Sequence, residues 1–276
     1  MRAILCISTE SGIAGVVQAP LLNAVPLFAN SSLVNRSRTV QLENQGETRE
    51  NEFYVPRFGP KKFRMLVGLS FFPYTLMNAS YVVIGSLLAS PVHYDRMAEM
   101  ALVYLLAVGI SAHSLDAMSP NKPWGDFLTK RQLLAMAVGG LVPALALGLY
   151  LSLSFAPLLI PLGLVELFFL LAYNLELFSG RFHSDLWFSL SWGYLPLLAG
   201  FVVQSDAVTA PALIGGLFGF FTAFVEINAS RPYKALKRQP GGAYPPLVKK
   251  LESILKGVVL SVLAAAAALL ALALTR

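Results

Sequence analysis

From Met65 onward the chain alternates long apolar runs with short polar breaks. Runs of about 20 apolar residues are long enough to cross a hydrocarbon core of about 30 Å. By that measure the pattern predicts seven transmembrane helices: Met65 to Ser90, Met97 to Leu115, Leu133 to Phe155, Ala156 to Leu177, Leu186 to Gln204, Val208 to Ile227 and Leu251 to Leu274. Only Ser154-Phe155-Ala156-Pro157 separates the third from the fourth, which predicts a tight helical hairpin. The expected fold class is all-α, a polytopic membrane helical bundle spanning residues 61–276. Gly193, Pro196 and Gly200, with Gly215, Gly216 and Gly219 in the next run, are expected to serve close helix packing.

Residues 1–60 lack any sustained apolar period and include the charged run Glu43 to Glu52, so they are expected to form a disordered cytoplasmic leader. Ile13 to Ala29 is mildly apolar, but Gln18, Asn23, Pro20 and Pro26 interrupt it, which argues against a signal peptide.

Composition supports a membrane protein: 56% of residues are hydrophobic and only 13% charged, against about 25% charged in soluble domains. The single cysteine, Cys6, excludes an intrachain disulfide framework and a cysteine-based metal site. A net charge of +6 would suggest nucleic acid in a soluble protein. Here the basic residues follow the membrane instead, and no nucleic-acid partner is expected. With the N-terminus inside, Arg57, Lys61, Lys62, Arg64, Lys122, Lys130, Arg131, Arg181, Arg231, Lys234, Lys237, Arg238, Lys249 and Lys250 all fall on the cytoplasmic side. Arg96 and Arg276 fall outside, so the positive-inside rule predicts a cytoplasmic N-terminus.

In this topology the second, fourth and sixth runs end at the cytoplasmic face, and each ends in a polar cluster. The first is Ala112-His113-Ser114-Leu115-Asp116, in which His113 and Asp116 are spaced i, i+3 and share a helix face. The loop beyond it adds Asn121, Lys122 and Asp126. The second cluster holds Asn174 and Glu176, a glycine terminus at Ser179-Gly180, then Arg181, His183 and Asp185. Arg181 suits bidentate phosphate contacts. The third combines Glu226 and Asn228 with Arg231, Lys234, Lys237 and Arg238, and Pro232 predicts that the helix stops or kinks near Arg231. Ionisable groups in membrane spans are expensive and mark functional sites, so the three clusters are expected to form one cytoplasm-facing pocket. Glu166, in the middle of the fourth run, either lines that cavity or pairs with a polar group on another helix.

Ala112-His113-Ser114-Leu115-Asp116, the stretch Ala172-Tyr173-Asn174 and the run Trp192-Gly193-Tyr194-Leu195-Pro196 ending in Gly200 resemble motifs of the UbiA superfamily of intramembrane polyprenyltransferases. The last matches a W-G-x-L-P-x-x-x-G pattern, and the resemblance covers roughly residues 63–238. The family's first motif, N-D-x-x-D-x-x-x-D, retains only Asp116 here. Ala112 stands at the asparagine, His113 at the first aspartate and Pro120 at the third. A second motif, D-x-x-x-D, falls on Glu226 and Ser230, and the family's usual nine helices are here about seven.

The resemblance implies transfer of a polyprenyl group from a prenyl diphosphate to a small or lipid acceptor. It further implies Mg²⁺ held by Asp116 and Glu226 and a diphosphate bound by Arg181, Arg231, His113 and Asn174. Glu176 or His183 would serve the acceptor as acid or base, and the tail would lie along Phe169, Phe188, Phe218 and Phe221. Two other classes stay open on the residues alone. One is a metal-dependent hydrolase or oxidase using His and carboxylate ligands; the other is a noncatalytic lipid-binding or transport module.

Overall fold

The computed structural model describes residues 52–118, 128–237 and 245–275; residues 1–51, with most of the expected leader, and the loop residues Asn121, Lys122, Asp126 and Arg238 lie outside that set. The described residues form an all-helical bundle. Six helices are long and apolar enough to cross a membrane: α1 (Lys61–Leu87), α2 (Tyr94–Asp116), α3 (Lys130–Ser154), α5 (Asp185–Ser205), α6 (Ala210–Lys237) and α7 (Pro245–Leu274). A shorter apolar helix, α4 (Leu159–Asn174), sits between α3 and α5. At 16 residues it is about 24 Å long.

Helices α1 and α5 form the centre. In each, 67% of the most apolar stretch is buried, against 22% for α3 and 17% for α7. The outer helices turn leucine, valine and phenylalanine outward, for example Val142, Leu153, Ile214 and Leu260, as a bundle in lipid requires. Small residues set the central crossing. A Cβ at Gly85 would collide with the Leu197 carbonyl, and one at Gly200 with the Val82 carbonyl. Gly193 and Gly219 meet in the same way across α5 and α6. Such backbone approach opens the way to polar ties in a medium without water: Ser86 Oγ donates to the Gly200 carbonyl at 2.9 Å, and the Asn78 amide donates to the Trp192 carbonyl at 2.7 Å.

Two π-helical stretches interrupt the regular ladder, Ala107–Ala112 in α2 and Leu190–Tyr194 in α5. The carbonyl that Asn78 satisfies lies in the second of them. Helix α1 is broken at Phe71, which has φ 46°. A left-handed bulky residue is a genuine backbone outlier, and here packing holds it: its ring lies 4.8 Å from Tyr54 and 4.6 Å from His113.

Three details differ from the sequence-based expectation. Helix α6 does not stop near Arg231 but continues through Pro232 to Lys237. Tyr233, fully buried beside Phe53, anchors that last turn, and packing outweighs the helix-breaking cost of proline. Helix α4 ends at Asn174, before the Ser179-Gly180 terminus, because Glu176 already adopts a left-handed φ of 51°. Finally, residues 52–55 of the expected leader pack on the bundle, with Tyr54 and Val55 in the core and Phe53 N–H donating to the Tyr233 hydroxyl at 3.3 Å.

The connections at one end are tied to each other. The His93 N–H donates to Gln204 Oε1 at 2.7 Å, and the Leu158 N–H donates to Asp206 Oδ1 at 2.9 Å. The other end carries the three polar clusters. Gly85→Ala is expected to lower stability by about 1–3 kcal/mol, as overpacking does, whereas Gly257→Ala, with open space around its Cα, gains up to about 1 kcal/mol from helix propensity. Thermal unfolding of the two variants in detergent checks this, and equal midpoints would remove the close-packing account.

Candidate functional site

Tyr173, near the end of α4, is the residue on which the clusters meet. The positive charge of Arg231 and the negative charges of Asp116 and Glu226 all act on its hydroxyl. The His183 imidazole stacks on it at 4.3 Å. His183 Nδ1 lies 3.0 Å from the Tyr173 carbonyl. A carbonyl only accepts, so Nδ1 is the protonated nitrogen and Nε2 is left as the basic one in the neutral ring. Arg231 also holds the far side of this loop: Nε lies 3.0 Å from Asp185 Oδ1 and Nη2 donates to the His183 carbonyl at 3.3 Å. Both side chains of that ion pair remain over 30% exposed, so its own contribution to stability is at most about 1 kcal/mol. Its effect is positional, fixing the start of α5 against α6.

Glu226 lies about 16 Å along α6 from Lys237 by helix rise and is 4% exposed. Its Oε2 has no hydrogen-bond partner, and neither has Ser230 Oγ one turn on. Lys234 is the basic group that acts on it. His113 is buried as well, its ring lying 4.6 Å from Phe71 and 5.6 Å from Trp192, with Nε2 3.3 Å from Thr75 Oγ1. It therefore belongs to the wall between α1, α2 and α5, while Asp116, one turn on, is part-exposed. The expected shared face of the two residues does not put them in one environment.

Arg181 is exposed and Glu176 lies in the exposed stretch after α4. Phe182 holds this stretch by packing 5.0 Å from Phe168 and 5.4 Å from Trp187. Asn174 turns its amide back to the Leu170 carbonyl at 2.7 Å. Among the described residues no three His, Cys, Asp or Glu side chains come together as a metal-binding group.

Beneath Tyr173 a cavity of about 280 Å³ runs between α2, α3, α4 and α5. Its wall is overwhelmingly apolar, with Met100, Val103, Leu141 and Leu167 among the lining residues, and Tyr173, Asn174 and Trp192 close it at the polar end. Leu145, Leu149, Ile160 and Leu164 both line it and are exposed on the outer surface, so it opens sideways between α3 and α4. Phe169 and Phe188 lie in the wall as expected for a tail channel. Phe218 and Phe221 do not: they are 41% and 58% exposed on α6, a helix that contributes no residue to the cavity wall.

Sequence reasoning missed the roles of Tyr173 and Trp192. Both stand in stretches singled out above, but aromatic residues in apolar helices look like core, and only their polar neighbours mark them. No protein-family profile, curated protein sequence or solved structure matches the chain.

Burying a carboxyl oxygen without a partner costs about 1–3 kcal/mol or more. Glu226→Met, similar in volume, is therefore expected to raise the unfolding midpoint in detergent. A lowered midpoint would show that Glu226 is held by interactions that stabilise the fold.

Proposed function

We propose that the protein is a UbiA-like intramembrane prenyltransferase, moving a polyprenyl group from a prenyl diphosphate to a small or lipid acceptor. The observation that carries this reading is the apolar cavity, open sideways to lipid and ending at Tyr173, where Arg231, His183, Asp116 and Glu226 gather. Such a shape suits an amphiphile whose chain lies in the membrane and whose anionic head sits at the end of the bundle.

In this reading the chain of the donor occupies the cavity and its diphosphate lies beside Arg231. The guanidinium is already oriented by Asp185 and the His183 carbonyl, so it meets the negative charge without reorganising. The allylic C–O bond breaks with its electron pair passing to the diphosphate, and the nucleophilic atom of the acceptor bonds to the same carbon. The proton that the acceptor loses passes to His183 Nε2, whose ring is held by the Tyr173 stack and the Nδ1 contact. Trp192 and Phe188, stacked at 5.1 Å, wall the reacting carbon from bulk water.

The donor set fits Mg²⁺ in a limited way. With no group of three ligands among the described residues, the chain offers two carboxylates, Asp116 and the partner-free oxygen of Glu226, and Mg²⁺ bound with phosphates needs only one or two. When bound, it would supply neutralisation of the leaving diphosphate. Arg181, exposed in the stretch after α4, fits a role in attracting the anionic donor better than one in holding it.

The polar end faces the cytoplasm in this reading. Lys61, Lys62, Lys130, Arg131, Arg181, Arg231, Lys234, Lys249 and Lys250 crowd that end, while Arg96 lies at the other, above the Phe155 ring. A cysteine placed at Arg181 in a Cys6→Ser background is expected to resist an impermeant maleimide in intact cells and to react in inverted vesicles; the reverse pattern would overturn the orientation.

Purified protein given geranylgeranyl diphosphate and mixed phenolic and lipid acceptors is expected to release diphosphate in a Mg²⁺-dependent way. Arg231→Ala and Asp116→Ala should each lower the rate by about 100-fold or more, the scale of losing one preorganised charge. No release with any acceptor, or release indifferent to both substitutions, would sink the proposal.

A further inference from the structure

Halfway along the apolar cavity stands one carboxyl group. Glu166 lines the wall from α4, and the Tyr104 hydroxyl of α2 donates to its Oε1 at 2.6 Å. The two sequence-based alternatives for Glu166 are thus both realised, since it lines the cavity and also pairs across helices. Resting on the prenyl diphosphate reading, we infer that Glu166 and Tyr104 form a second recognition point, for a hydroxyl group carried on the chain of the cavity's ligand.

The serine and amide side chains of the wall point to the same assignment by contrast. Ser152 donates to the Gly148 carbonyl at 2.6 Å, Ser191 to the Trp187 carbonyl at 2.9 Å and Asn174 to the Leu170 carbonyl at 2.7 Å. Each turns its donor back one turn on its own helix and offers the cavity little. Glu166 does not turn back in this way: its Oε1 accepts from Tyr104 on another helix, which leaves the carboxyl facing the cavity. Tyr104 occupies one of its oxygens, and the second retains acceptor capacity. A ligand hydroxyl is suited to meet it, because it can donate to an ionised carboxylate or accept from a protonated one while staying neutral in a low-dielectric setting.

The position of the pair defines which part of the ligand it reads. Glu166 and Tyr173 are seven residues apart on α4, which places them on one face and separates them by about 10 Å. A head held at Tyr173 therefore puts a carbon well along the chain, beyond the reacting allylic carbon, opposite Glu166. Apolar walls discriminate poorly between chains, whereas a site built to bond a hydroxyl rejects the analogue that lacks it. The pair makes the cavity selective for an oxygenated chain over a plain hydrocarbon one.

The test is a comparison of dissociation constants for geranyl diphosphate and its ω-hydroxylated analogue, titrated into detergent-purified protein. Wild type is expected to bind the hydroxylated chain about tenfold more tightly, the worth of one net hydrogen bond. Glu166→Leu should erase that preference. Glu166→Gln keeps an acceptor for Tyr104 and presents an amide to the ligand, so it should retain much of the preference even if the leucine variant folds poorly. Equal binding of the two ligands by wild type, or an undiminished preference in Glu166→Leu, overturns the inference and leaves the transferase reading standing. Binding of neither ligand overturns both.

Discussion

The backbone contact between α1 and α5 is the constraint from which the rest of the bundle follows. Gly85 against the Leu197 carbonyl and Gly200 against the Val82 carbonyl bring two helices closer than any side chain would allow. In lipid there is no hydrophobic drive between helices, so contact area and interhelical hydrogen bonds must supply the attraction. Close approach provides both, and it places Ser86 and Asn78 where they can bond carbonyls of the opposite helix. One of those carbonyls belongs to Trp192, in the π-helical stretch of α5. The same contact that assembles the centre therefore also sets the rotation of the residue that walls the polar end from the cavity.

Around that centre the peripheral helices do different work. Helices α6 and α7 cover α1 and bring Glu226 and Tyr233 inward, whereas α3 and α4 stand further off and leave the cavity between themselves, α2 and α5. Tyr173 joins the two regions. Its ring forms the end of an apolar space, and its hydroxyl lies within the field of the Arg231 charge. A phenylalanine there would serve the first role and not the second, and this is why a tyrosine at the end of an apolar helix carries more meaning than its hydropathy suggests.

Much of this was legible in the apolar runs. Six of the seven runs correspond to helices of spanning length among the described residues, while the fourth, Ala156 to Leu177, gives only the shorter α4 because its last residues leave the helix after Asn174. What failed to read out was depth and rotation. Pro232 looked like a terminator because a local rule was applied where burial of Tyr233 decides. Phe218 and Phe221 looked like tail contacts because composition says nothing of which face meets lipid. Glu226 was recognisable as important, but its unpartnered oxygen follows from how α1, α5 and α6 converge, and no spacing along one helix encodes that. His113 and Asp116 show the same limit: a shared helical face did not mean a shared environment, since Phe71, itself in an unusual backbone conformation, covers one of them.

The sideways opening between α3 and α4 has a consequence for how occupancy is governed. A molecule that enters past Leu149, Ile160 and Leu164 arrives by lateral diffusion in the bilayer rather than from solution. The quantity that sets occupancy is then the mole fraction of ligand in one leaflet. Two membranes of equal total ligand but different lipid content would load the protein to different degrees, and micelles would dilute the ligand as surely as added water dilutes a soluble substrate.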